Sequence, residues 1–86
     1  MSADNCIAIC KFKQGWKVVH CLGIDNIYWW KENGKWIRKN EINPKQLYKI
    51  FKNGILCKTR EEALQVAKKM WKEIGYVEYG ILEIER

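Results

Sequence analysis

Apolar residues in this chain fall into short runs whose period changes along its length. CIAICKFK (6–13) and WKVVHCL (16–22) are rich in Ile, Val, Trp and Phe, and Gln14-Gly15 separates them as a two-residue turn would. The pattern predicts a hairpin. Alternation about that turn sets Cys6, Ala8, Cys10, Phe12, Lys17, Val19 and Cys21 on one face, and Ile7, Ile9, Lys11, Lys13, Trp16, Val18, His20 and Leu22 on the other. Both faces are partly apolar. Residues 23–26 read as a turn or bulge, and 27–32 resume strand composition. Asn33-Gly34 tolerates the positive φ of a type I′ turn and should join 27–32 to 35–40 as a second hairpin.

Helical spacing takes over from residue 43. Asn43 supplies a cap, Pro44 suits the first helical position, Leu47, Tyr48, Ile50 and Phe51 form an apolar stripe, and Gly54 closes the helix. A short strand at 55–58 follows. Thr59 and Glu62 fit a capping box that opens the longest helix, with Ala63, Leu64, Ala67, Met70, Trp71 and Ile74 facing the sheet and Gly75 as its stop. Residues 77–85 make a last strand with apolar and acidic positions alternating toward its end. The order β-β-β-β-α-β-α-β predicts an α+β fold: an antiparallel or mixed sheet of five to six strands with two helices on one face. That arrangement leaves Ile7, Ile9, Val18 and Leu22 uncovered, so a homo-oligomer is expected, a dimer or higher, with two-fold contact through these faces or through edges of the last strand.

Size changes the picture only by limiting it. Eighty-six residues support one core, so 1–86 is read as a single domain, and 48% hydrophobic with 30% charged residues describes an ordered globular chain. No apolar run approaches the ~20 residues that span a bilayer, and the first residues lack a basic-then-apolar leader, so a cytoplasmic protein with no membrane partner is expected. In that compartment Cys6, Cys10, Cys21 and Cys57 should be reduced thiols. Their spacing, CxxxC with Cys21 beside His20 and a distant Cys57, does not fit a zinc site, and neither metal nor cofactor is expected. Cys6, Ala8 and Cys10 read instead as small residues that let a helix pack closely.

Charge points to a partner. Of the net +6, the first 60 residues carry 12 Lys/Arg against 4 Asp/Glu, whereas 61–86 carry 4 against 6. A positive field of this kind attracts phosphates and other anions, and also serves solubility. In a hairpin turning at Asn33-Gly34, Glu32 lies opposite Lys35, Lys31 opposite Trp36, Trp30 opposite Ile37 and Trp29 opposite Arg38. Tyr28, Trp30 and Ile37 then share one face, and Trp29, Lys31, Trp36 and Arg38 the other. Two indoles flanked by cations can stack a flat ring while the cations meet phosphate oxygens. The same pairs also stabilise a hairpin as plain cation–π contacts with no ligand. Lys11, Lys13 and Lys17 are further candidates for phosphate contacts, and His20 is either a hydrogen-bond partner for a phosphate or a half-buried filler.

Signatures of catalysis are missing: no nucleophile elbow, phosphate loop, HExxH or paired acids appear, so a non-enzymatic role is expected. The stretches DNCIAICKFKQGWKVVHCLGIDNIYWW and EEALQVAKKMWKEIGYVEYGI resemble small, mostly uncharacterised accessory proteins encoded by bacteriophages. The resemblance implies a viral, counter-defence type of protein acting in the cytosol of a host cell. Three functions follow as expectations. The first is a sponge that sequesters a nucleotide-type anion through Trp29, Lys31, Trp36, Arg38, Lys11, Lys13, Lys17 and His20. The others are an inhibitor docking on a host nuclease or nucleic-acid complex, and a single-stranded nucleic-acid-binding module.

Overall fold

The near-continuous run of small and apolar residues in Asn5–Phe12 forms β1, and every residue from Asn5 to Cys10 is buried. The computed structural model describes residues 5–22, 28–32, 35–38 and 44–84, with backbone alone at 28–32, 35–38, 44 and 46. Its further elements are β2 (Gly15–Leu22), β3 (Tyr28–Glu32), β4 (Lys35–Arg38), α1 (Pro44–Phe51), β5 (Ile55–Cys57), α2 (Arg60–Ile74) and β6 (Ile81–Ile84). A four-stranded mixed sheet runs β5-β2-β1-β6, with β1–β2 and β2–β5 antiparallel and β1–β6 parallel. β3 and β4 pair separately as a two-stranded sheet, so the expected single sheet of five to six strands is corrected to four plus two.

The first hairpin turns at Lys13-Gln14 rather than at Gln14-Gly15, pairing Phe12 with Gly15 and Cys6 with Cys21. This moves the ladder by two residues, which preserves the side-chain alternation, so both expected faces survive. Gly15 sets the register. It has φ +144°, and a Cβ there would stand 2.3 Å from the Cys57 carbonyl oxygen, so only glycine lets β5 lie this close to the start of β2.

The helices do not share a face. Leu47 and Phe51 of α1 pack with Cys6, Ala8, Cys10 and Cys21, while Ala63 and Ala67 of α2 pack with Ile7, Ile9 and Val18 on the opposite side. Connectivity explains the correction. β5 and β6 run in the same direction at opposite edges, so α2 must cross the sheet on one face to join them, and α1 is left the other. With both faces of β1 apolar, each needs a cover, and each has one. Ile7, Ile9 and Val18 therefore need no second copy to cover them, since α2 buries all three; Leu22 alone of that set stays exposed.

Local signals fall where expected, with small differences. Thr59 Oγ1 accepts from the Glu62 N–H at 3.1 Å, but the returning Glu62 carboxylate accepts from the Lys58 N–H rather than from that of Thr59. Gly75 ends α2 with φ +92° and donates its N–H to Trp71 O. Trp71 and Ile74 are partly exposed instead of facing the sheet, and the Trp71 ring lies over Gly80. The last strand is shorter than 77–85, and Val77 is buried ahead of it. The expected turn or bulge at 23–26, the Asn33-Gly34 turn and the Asn43 cap lie outside the described residues.

Candidate functional site

α1 presents Leu47, Ile50 and Phe51 to the sheet, but Tyr48, expected in the same stripe, sits one residue round the helix from Leu47 and turns outward, 58% exposed. Beneath it the Phe12 and Phe51 rings meet edge to face, 5.4 Å apart at 61°. Lys17 reaches over the Phe12 ring, its Nζ 5.9 Å from the centroid. Lys13 and Gln14, in the turn, and Leu56, on β5, close the rim. Together these residues enclose a hollow of about 360 Å³ between the β1–β2 turn, α1 and β5. It combines an aromatic wall, an exposed phenol and two cations, the chemistry that takes a flat anionic ligand.

Two of the expected site residues, Lys13 and Lys17, converge here. Lys11 does not join them: it pairs with Trp16, one residue from Lys17 along β2, and so belongs to the α2 face. His20 lies elsewhere. Its Nε2 is 3.0 Å from the Asn5 side-chain amide nitrogen, and Asn5 is buried (3% exposed). Asn5 Oδ1 accepts the Glu78 N–H at 2.9 Å and Nδ2 donates to Tyr76 O at 3.0 Å, so the amide orientation is set and His20 Nε2 is the acceptor. His20 thus serves a structural network that ties β1 and β2 to the segment before β6, rather than the hollow.

At the second hairpin the backbone pairs Glu32 with Lys35, Lys31 with Trp36 and Trp30 with Ile37, as expected, but Arg38 stands opposite Tyr28 rather than Trp29. The ladder is irregular between Tyr28 and Trp30, which takes Trp29 out of the pairing assigned to it. The side chains of Trp29, Lys31, Trp36 and Arg38 lie outside the described residues.

The four cysteines are free thiols and buried. Cys6 hydrogen-bonds Cys21 across the ladder and draws its thiol below the usual range against the opposing effect of burial. Burial and the Glu62 carboxylate push the Cys57 thiol up. Cys21 and His20 point to opposite faces of β2, so the neighbouring imidazole is not aimed at that thiol. Among the described residues no group of three or more His, Cys, Asp or Glu is placed to hold a metal, and no helix is long and apolar enough to cross a membrane.

Tyr48, Phe12, Phe51 and Leu56 are the site residues that sequence reasoning left out. Tyr48 was read as part of the α1 stripe, and it becomes a rim residue only because Leu47, Ile50 and Phe51 pack against the sheet without it. Comparison of this chain with protein-family models, curated proteins and solved structures returns no match.

Proposed function

We propose that this chain is a non-enzymatic binding protein that captures a nucleotide-type anion in the hollow between the β1–β2 turn, α1 and β5. The observation that carries this reading is the placement of Lys13 and Lys17 at the rim of a space walled by Phe12, Phe51 and the exposed Tyr48. In it the ring of the ligand stacks on Tyr48, and its phosphate meets Lys13 and Lys17. Lys17 exchanges its contact with the Phe12 ring for that phosphate. The exposed lysines of and beyond α1, Lys49 and Lys52, extend the positive field. A volume of about 360 Å³ lies at the small end of ligand sites and favours a mononucleotide-sized occupant over a long strand. A viral sponge that removes a signal nucleotide is the biological role this reading suggests, with Trp29, Lys31, Trp36 and Arg38 as a second cationic, aromatic element.

Calorimetry against mononucleotides, cyclic nucleotides, ADP-ribose-type nucleotides and oligonucleotides of increasing length tests it. Heat from a small nucleotide supports the reading. Binding that appears only with oligonucleotides and grows with their length supports a single-stranded nucleic-acid module in its place.

A further inference from the structure

β5 is an edge strand with an unusual surface: of its three residues, Ile55 is 48% and Leu56 52% exposed. Exposed apolar edges invite pairing with another chain, and proteins commonly suppress them. The strand is held tightly, because the Cys57 carbonyl oxygen rests against Gly15 and therefore faces β2. By antiparallel alternation Leu56, opposite Lys17, turns its N–H and C=O to the outer side. Each exposed side chain also borders a hollow on its own face. Leu56 is part of the rim on the α1 side, and Ile55 joins Val66 and Met70 in walling a second hollow of about 270 Å³ on the α2 side, with Lys69 and Glu73 at its margin.

We propose that this edge accepts an extended, acidic segment of a partner protein as an added strand. The segment's backbone pairs with Leu56, and its successive side chains drop alternately into the two hollows. The charge around the edge selects the occupant. Lys13 and Lys17 border one hollow and Lys69 the other, and the exposed Lys52 and Lys58 flank the strand, against Glu73 and the Glu62 carboxylate that takes the Lys58 N–H. A second copy pairing through its own β5 would set the same lysines against each other, whereas an acidic strand complements them. This inference goes beyond the small-ligand reading and does not require it. Lys13, Lys17 and Leu56 belong to both, so the strand and a nucleotide-type anion exclude one another.

The test is amide hydrogen exchange on the full chain with a blocked eight-residue peptide of alternating Glu and Val. At saturation, exchange of the Leu56 N–H should slow at least tenfold, and Ile55→Ser or Met70→Ala should weaken the peptide at least threefold without changing nucleotide affinity. Failure to bind, binding that leaves Leu56 exchange unchanged, or binding indifferent to both substitutions overturns the added strand. Nucleotide binding without peptide binding sinks this proposal alone, and the reverse sinks only the small-ligand reading.

Discussion

The Asn5 side-chain amide donates to His20 Nε2 at 3.0 Å while its carbonyl oxygen is held by the Glu78 N–H, so one buried residue decides which ring nitrogen of the only histidine carries the proton. Neutral His20 is therefore the Nδ1–H tautomer, and long-range ¹⁵N–¹H correlation of the ring should read it as such. Asn5→Asp keeps the shape but replaces the donor with an acceptor facing Tyr76 O and His20 Nε2. The loss expected at neutral pH is about 2 to 4 kcal/mol, measured by urea unfolding.

Two glycines with positive φ should respond differently to alanine. At Gly15 the new Cβ meets the Cys57 carbonyl oxygen at 2.3 Å on top of an unfavourable backbone, and a loss of about 2 to 4 kcal/mol is expected. At Gly75 no atom lies within 4 Å, so Gly75→Ala should cost only the conformational penalty, about 1 to 2 kcal/mol. Chemical denaturation of the pair checks the difference. Equal losses would remove the close seating of β5 on β2.

The two-sided core makes a separate statement. Phe51→Ala empties the α1 side at a cost of about 3 to 5 kcal/mol, and Ala67→Leu crowds the α2 side at about 1 to 3 kcal/mol. Because a sheet stands between them, the double variant should lose the sum. A marked departure from additivity would place both helices against one shared core.

Much of this was legible in the residues. Alternation in CIAIC and WKVVHC sorted the two faces correctly even though the turn was placed one residue late, because a shift of two in the ladder leaves side-chain parity intact. Thr59 and Gly75 marked the ends of α2 through local chemistry alone. The side on which each helix packs was not legible, since it follows from β6 joining β1 in parallel, a long-range choice that no local pattern encodes. The candidate hollow was half legible. Lys13 and Lys17 were singled out for their charge, but Phe12, Phe51 and Leu56 read as ordinary apolar positions until the turn, α1 and β5 were brought together.

Cys57 gives the stability a pH dependence. Burial and Glu62 hold its thiol above the ordinary value of 9.0, so the folded chain keeps a proton that the unfolded chain releases. That contribution is complete below the unfolded value and is lost as pH rises through the folded one. Urea unfolding between pH 7 and pH 10.5 should therefore show the advantage of the wild type over Cys57→Ala shrinking above about pH 9. The opposite shift at Cys21 is present in both proteins and cancels in the comparison.

Whether Lys13 and Lys17 hold the anion is read most directly from how the affinity for a nucleotide changes with salt in the wild type and in a Lys13→Ala/Lys17→Ala double variant. The wild type should bind a mononucleotide-sized anion with an affinity that falls as salt rises, and the double variant should bind at least tenfold more weakly with most of that dependence gone. An affinity and salt slope unchanged by the two substitutions would contradict it, because the anion would then be held somewhere other than the hollow beneath Tyr48.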